Sequence, residues 1–381
     1  MSDRKLAFLY SPALAALSYP PDCPFNTSRA ARTRERLLSF GLLGGDHRRE
    51  VAPAPAVRAE LEQFHSARYL DELERAAAGD LRFEGLEMGL GTPDTPVFRD
   101  LWSYAIGAAG ASLTAADLIL TGAASVAFTP WGGLHHARPE RAAGFCYIND
   151  IVLACLRLAD HGQRVLCLDL DAHHGDGTEA AFYRRRDVLT ISLHESGTTL
   201  FPGSGFEKEI GEGPGRGYNV NLPLPAETYD DAYFFAFRRA VVPLIGAYRP
   251  DVIVIELGMD ALAGDPLTHL RLTNNVYVDI LHRLLAFDVP LLVTGGGGYN
   301  VENTVRGWAL AWKTFCGDEE HDLSFGMGGL MLGSTEWVGG LRDRALSVSP
   351  AQRAAVEPAV CATVEQIRRT IFPLHGLSVE D

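Results

Sequence analysis

Between Val165 and Gly177 a short apolar run ends abruptly in Asp169, Asp171, His173, His174 and Asp176. The run is long enough for one buried strand. In extended backbone, residues two apart share a side, so Asp169, Asp171 and His173 project together. Carboxylates and an imidazole converging at a strand end make half of a divalent-metal site. Without a cation, acids crowded at a buried strand end repel one another. A single Asp-x-His also occurs by chance in solvated loops, so the decision rests on what else the chain brings to the same place.

Three further segments bear on it. Asp260 follows the apolar run Val252–Leu257, and with Asp171 and His173 it gives a ligand set of one nitrogen and two oxygens. That set leaves a position open for water and substrate; zinc is the leading ion, and Fe(II) also suits an oxygen-rich site. Such an ion lowers the pKa of bound water and polarises a carbonyl, both useful for amide hydrolysis. His135 and His136 are consecutive in a Gly-rich loop. Beside a metal they make sense as general base and general acid, each oriented by a carboxylate, and Asp169 and Asp176 are free for that part. Tyr299 follows Gly295–Gly298. It reads either as a loop aromatic capping a strand end or as a phenol donating to the oxyanion of a tetrahedral intermediate. A phosphate loop is excluded there, because no Lys-Ser/Thr follows and the glycines lack the Gly-x-Gly-x-x-Gly spacing.

The elements that must position these residues alternate. Strands are expected at Leu6–Tyr10, Ala124–Phe128, 165–170, Val188–Leu193, Tyr218–Leu222, Val252–Leu257 and Leu291–Val293. Helices are expected at Arg29–Phe40, Val57–Ala78, Trp102–Leu120, Ile148–Leu158, Thr178–Tyr183, Asp230–Tyr248 and Val276–Ala286. Residues 85–96 are rich in Gly, Thr and Pro and read as a loop. This order predicts an α/β fold with a central, mainly parallel sheet flanked by helices. Every polar cluster falls at the carboxyl end of a predicted strand, where open α/β sheets place their ligand crevice. No linker or repeat divides the 381 residues, so a single domain is expected over 1–381.

Together these segments resemble the zinc-dependent histone deacetylase family. The resemblance is carried, in family order, by Gly132–Ala137, Gly144–Asp150, Asp169–Gly177 and Gly295–Asn300, and it runs from about residue 6 to 316. The loop Gly89–Pro96 is most similar to the bacterial acetoin-utilisation branch, itself like the class I enzymes. The resemblance implies the arginase/deacetylase fold and hydrolysis of N-acetyl-lysine in proteins or peptides by attack of a zinc-bound water. It implies zinc on Asp171, His173 and Asp260, His136 as the principal proton-transfer residue and His135 as its electrostatic partner. Asp169 would pair with His135, Asp176 with His136 or the surroundings of His174, and Tyr299 would bond the acyl oxygen. Gly144, Phe145, Phe201 and Leu267 match the lining of a narrow substrate tunnel, and Asp94 matches a rim aspartate that holds the substrate backbone. A structural potassium ion is implied at Asp169, Asp171 and His173 through main chain, with Ser192 and Leu193. Arg29 or Arg32 would be the buried arginine of the acetate-escape channel. The chain departs from the family pattern in an extra residue in the rim loop and in Cys23-Pro24 where relatives carry His-Pro; Arg342–Asp381 reads as helix and tail.

Composition narrows the partners. A net charge of −14 argues against non-specific nucleic-acid binding and accords with cationic substrates. Six cysteines without a pairing pattern, and an N-terminal apolar run too short for a signal peptide or membrane span, point to a reducing cytoplasm. Three other readings stand beside the lysine deacetylase: a deacetylase of acetylated polyamines or another small amide, a two-manganese ureohydrolase of the same fold, and an inactive acyl-lysine binder. The ureohydrolase would need extra carboxylate ligands and would leave Tyr299 idle. The inactive binder would not need the complete proton-transfer set.

Overall fold

A computed structural model describes residues 4–318 and 340–380. Eight strands, β1 (Leu6–Leu9), β2 (Arg48–Val51), β3 (Val126–Thr129), β4 (Val165–Asp169), β5 (Val188–Glu195), β6 (Asn219–Leu224), β7 (Val252–Glu256) and β8 (Leu291–Thr294), form one sheet. Its order is β2-β1-β3-β8-β7-β4-β5-β6, and every pairing is parallel. Parallel strands need crossovers over the faces, and the helices supply them on both sides.

Strand alternation sorts the core into two layers. Leu6, Phe8, Leu166, Leu168, Ile253 and Ile255 point to one face; Ala7, Leu9, Val165, Cys167, Val252 and Val254 point to the other. The second face is covered by helices Leu101–Leu120 and Asp150–Asp160, which pack on each other. Leu101–Leu120 is long and apolar enough by composition to cross a membrane, yet most of it is buried against its neighbours, as in a core helix.

Four expectations change in detail. The span Val57–Ala78 is two helices, Arg58–Leu61 and Ala67–Ala77, because Ser66 caps the second by accepting the Tyr69 N–H and His65 turns inward between them. The stretch 85–96 is loop only from Met88 onward, since the helix Phe83–Glu87 runs into it. β2 lies outside the predicted strands because Arg48-Arg49-Glu50-Val51 has no apolar pattern; an edge strand can be held by backbone pairing alone. The helix Val301–Cys316 also lies outside the predicted set. Residues 319–339 of the expected C-terminal extension lie outside the described residues; beyond them Pro350–Thr370 is a helix that buries Val356, Val360, Val364 and Ile367.

Val301–Cys316 carries Trp308 and Trp312, four residues apart and therefore on one face. Both indoles are fully buried among Phe8 and Phe128 of β1 and β3, with ring centroids 5.5 Å apart for Phe8–Trp312 and 6.2 Å for Phe128–Trp308. Each indole N–H finds a carbonyl, Trp308 on Leu257 and Trp312 on Leu42, both at 2.8 Å. The Trp308 bond ties this helix to the chain just before Asp260. We therefore expect Trp308→Ala to lower stability by about 3–5 kcal/mol in urea denaturation; a loss of less than about 1 kcal/mol would show that the helix is not anchored through this ring.

Candidate active site

The four strands β3, β8, β7 and β4 are neighbours in the sheet, and their carboxyl ends and the chain leaving them carry every proposed catalytic residue and zinc ligand. Asp171 and His173 follow β4, Asp260 follows β7, His135 and His136 follow β3, and Tyr299 follows β8. Residues eighty or more apart in sequence thus meet at one edge.

Asp171, His173 and Asp260 converge, their candidate ligand atoms all within 4.8 Å of one another, and all three are buried. His173 Nδ1 lies 3.1 Å from Asp171 Oδ1 and 2.8 Å from Asp260 Oδ2. The carboxylates are aimed by backbone: Ala172 N–H donates to Asp260 Oδ1 at 2.8 Å and Gly297 N–H to Asp171 Oδ2 at 2.6 Å. Burial pushes Asp260 up to about 7, with the charge of Asp171 adding to it. Burial would lower His173, but Asp260 and Asp171 override it and raise the imidazole to about 10. Left to itself the cluster holds a proton between two acids; a divalent cation does the same neutralising work. The space is kept by glycines, since a Cβ on Gly297 would come within 2.0 Å of Asp260 Oδ2 and one on Gly258 within 2.2 Å of Asp171 Oδ2. Donor set, burial and clearance all fit zinc.

Asp169 does not join that trio. It turns to His135, whose Nδ1–H donates to its Oδ2 at 2.8 Å. His136 Nδ1–H donates to Asp176 Oδ1 at 2.8 Å, which settles the partner of Asp176. His174 bonds Ser204 and Glu179 instead, at 2.9 and 3.1 Å. The two imidazoles meet at their Nε2 atoms, 3.1 Å apart. Burial depresses both, yet they end on opposite sides of neutrality. His135 faces Asp169 and Asp171 and is raised to about 9. His136 is lowered to about 4 by burial and then by the neighbouring His135 charge. Its own acid, Asp176, is shared with Arg138, which donates at 2.7 and 3.1 Å. His135 is therefore the cation of the pair and His136 the neutral base.

Several contributors were not legible beforehand. Glu256 is the register partner of Asp169 on β7, has no exposed surface, and lies 3.9 Å from His135 Nδ1. Burial, followed by Asp171 and Asp169, pushes its carboxyl well above the usual range. An acid inside the run Ile255-Glu256-Leu257 was the available signal. Asn149 and Asp150 build the histidine loop. Asn149 Nδ2 donates to the His135 and Ala137 carbonyls, each at 3.1 Å, while Asp150 accepts the Gly133 and Leu134 N–H groups. Of the two candidate arginines, Arg29 is the buried one and donates to the Gly298 carbonyl at 2.8 Å; Arg32 is exposed and pairs with Glu302.

The expected tunnel residues Phe201, Gly144 and Phe145 lie beside the site's histidines and Tyr299. Phe201 is 47% exposed, its ring 5.0 Å from His136 and 6.4 Å from His173. Phe145 lies 5.6 Å from Tyr299, and Tyr299 6.3 Å from His173. Gly144, with φ +52, sits against His136 and Phe201, where a Cβ would come within 2.4 Å of the imidazole. Asp94 accepts the Gly144 N–H at 3.3 Å, and its own carbonyl accepts the Phe145 N–H at 2.8 Å, so the rim loop is fastened to the aromatic wall. Leu267 is half-buried in the loop after Asp260. Ser192, the register partner of Asp169 on β5, bonds His194 Nδ1 at 2.8 Å. His194 donates through Nε2 to the Gly205 carbonyl and burial holds it neutral, so the Ser192 hydroxyl is the donor and its lone pairs are left for a cation. Leu193 is fully buried beside it.

Comparison with known proteins agrees with this geometry. Residues 23–315 match the family model described as histone deacetylase domain. The chain is 40% identical to the acetoin utilization protein AcuC of Bacillus subtilis over 84% of each chain. It is 37% identical to histone deacetylase 2 of rice, over 83% of this chain and 62% of that longer one. Among solved structures, one of a histone deacetylase homologue from Aquifex aeolicus superposes with a TM-score of 0.82 at 28% identity, covering 96% of this chain and all of that one. A structure of a homologue complexed with SAHA gives 0.83 at the same identity and coverage.

One scaffold residue titrates in an accessible range. His65 Nε2 accepts the Asn149 N–H at 3.0 Å, and burial lowers its pKa to about 4. The unfolded chain, with an ordinary histidine, binds the proton first as pH falls. Stability contributed by neutral His65 is therefore intact above about pH 6.5 and lost progressively toward pH 4, amounting to roughly 3 kcal/mol. His65→Gln, which accepts the same bond without titrating, should show a shallower fall in denaturation midpoint over that window. An unchanged slope would remove His65 from the acid sensitivity.

Proposed function

Since the chain belongs to the histone deacetylase family, whose members are deacetylase hydrolases, we propose that it is a zinc-dependent enzyme that removes acetyl or related short acyl groups from lysine side chains of proteins or peptides. The observation that carries this reading is the meeting of Asp171, His173 and Asp260 with two carboxylate-paired histidines and a tyrosine beside an aromatic slot. Asp171, His173 and Asp260 would hold the ion, and zinc there supplies Lewis acidity and a water of lowered pKa.

The chain's own residues account for the rest. Phe145 and Phe201 offer an apolar passage, which admits the four-carbon stem of an acyl-lysine because acylation removes the amine's charge. Gly144 leaves the passage open next to His136, and Leu267 and Asp94 form its wall and rim. Neutral His136 accepts a proton from water through Nε2 as the oxygen adds to the acyl carbon, and Asp176 steadies the imidazolium that results. Tyr299 donates its hydroxyl proton in a hydrogen bond to the oxygen that becomes negative, and cationic His135 adds positive potential. His136 then returns the proton to the leaving nitrogen, the C–N bond breaks, and the second water proton passes from the new carboxyl group to the amine, so that acetate and a lysine ammonium depart. Arg29, which holds the Gly298 carbonyl, would serve the acetate-escape channel that the family resemblance implies. Potassium at the main chain of Asp169, Asp171 and His173, with Ser192 and Leu193, would steady the ligand loop. The free, mostly buried cysteines accord with a reducing cytoplasm.

The first test is acetate release from an acetyl-lysine peptide by chelator-stripped protein before and after zinc is restored. Turnover that returns with zinc is expected; silence with zinc bound, together with turnover of an acetylated polyamine, would replace the peptide substrate. Tyr299→Phe should lower kcat by about 100-fold or more with zinc content unchanged. His136→Ala should be at least as damaging, and Asp260→Ala should lose the metal. Full activity in Tyr299→Phe would take the phenol out of the mechanism.

A further inference from the structure

The side chain of Tyr299 makes no hydrogen bond among the described residues, so its aim depends on its backbone and on the rings beside it. That backbone is held from three directions. Gly297 N–H donates to Asp171, the Gly298 carbonyl accepts from Arg29, and the N–H groups of Tyr299 and Asn300 both donate to Asp265 Oδ2, at 2.7 and 3.3 Å. The first two partners belong to the proposed catalytic machinery; Asp265 has so far had no part.

Asp265 is buried, 8% exposed, and pairs with no cation among the described residues. Its charge is carried by backbone donors and by the amino end of helix Val301–Cys316, which begins just after Asn300. The other oxygen, Oδ1, accepts the Leu267 N–H at 3.0 Å. One carboxylate thus fastens the phenol's backbone to the tunnel wall. The loop that carries it is itself closed: Ala263 N–H donates to the Leu272 carbonyl, and the buried Glu195 accepts both the N–H and the Nδ1–H of His269 at 2.8 Å. Asp265 is therefore a fixed point to which two irregular segments, the glycine turn and the stretch at Leu267, are both fastened.

We infer that Asp265 is a positioning residue for Tyr299, setting the direction of its phenol and locking it to the wall at Leu267. The inference rests on the oxyanion reading of Tyr299 given above. It is tested by a double-mutant cycle on the zinc-loaded full chain. Asp265→Ala should lower kcat by about 10- to 100-fold, with KM changed by less than about threefold. Placed on Tyr299→Phe, the same change should cost less than about a further threefold, because its target is already gone. Zinc content and thermal unfolding of each variant separate this from collapse of the loop, and if Asp265→Ala fails to fold, the near-isosteric Asp265→Asn carries the cycle. A loss at Asp265 that multiplies undiminished onto Tyr299→Phe, or a defect confined to KM, overturns the positioning role alone. Full activity in Tyr299→Phe overturns the reading beneath it, so the two failures are told apart.

Discussion

The structure depends on keeping several buried acids together at the carboxyl edge of one parallel sheet. Asp169, Asp171, Glu256 and Asp260 are at most 5% exposed, and Asp169 and Glu256 stand side by side in register. Bare carboxylates at that density would not stay ionised in the interior. They are satisfied first by backbone N–H groups of Asp171, Ala172, His173, Gly258 and Gly297, and then by imidazoles. The remaining negative charge is what makes the place attractive to a divalent cation. Stability and chemistry therefore make the same demand on these residues.

The same charge distribution differentiates two adjacent histidines that the sequence presents as equivalent. His135 looks into the acidic cluster and becomes a cation, while His136 looks toward an acid already engaged by Arg138 and stays neutral. A cationic imidazole and a neutral one, side by side, suit a reaction that builds negative charge on one atom while removing a proton from another. Neither imidazole could be tuned in this way on an exposed loop, where water would screen Asp169 from His135.

The loops that carry the chemistry have little regular structure, and their rigidity comes from buried polar side chains that take up backbone groups. Asn149 and Asp150 do this for the histidine loop, Asp94 for the aromatic wall, and Asp265 and Arg29 for the turn at Tyr299. An apolar core under such loops could not orient them, since packing is non-directional and hydrogen bonds are not. The sheet beneath supplies a different service: parallel strands deliver four chain exits to one edge, and its two apolar layers keep those exits in fixed register.

Much of this was legible in the chain itself. Alternating strand and helix patterns predicted the parallel α/β fold, because strand and helix periodicities follow from local geometry. Asp171, His173, Asp260, His135, His136 and Tyr299 stood out because each follows an apolar run or a glycine turn, where an acid, imidazole or phenol has no packing reason to be. The helix Val301–Cys316 and edge strand β2 were missed, since one is recruited by tryptophans that fit a distant surface and the other by backbone pairing. Tertiary structure alone decided what the sequence left open: Asp176 took His136 rather than the surroundings of His174, and Glu256 and Asp265 acquired partners 34 or more residues away or on another strand. Sequence records which groups are present, but the pairing of charges depends on distance and burial, and those exist only once the strands have met.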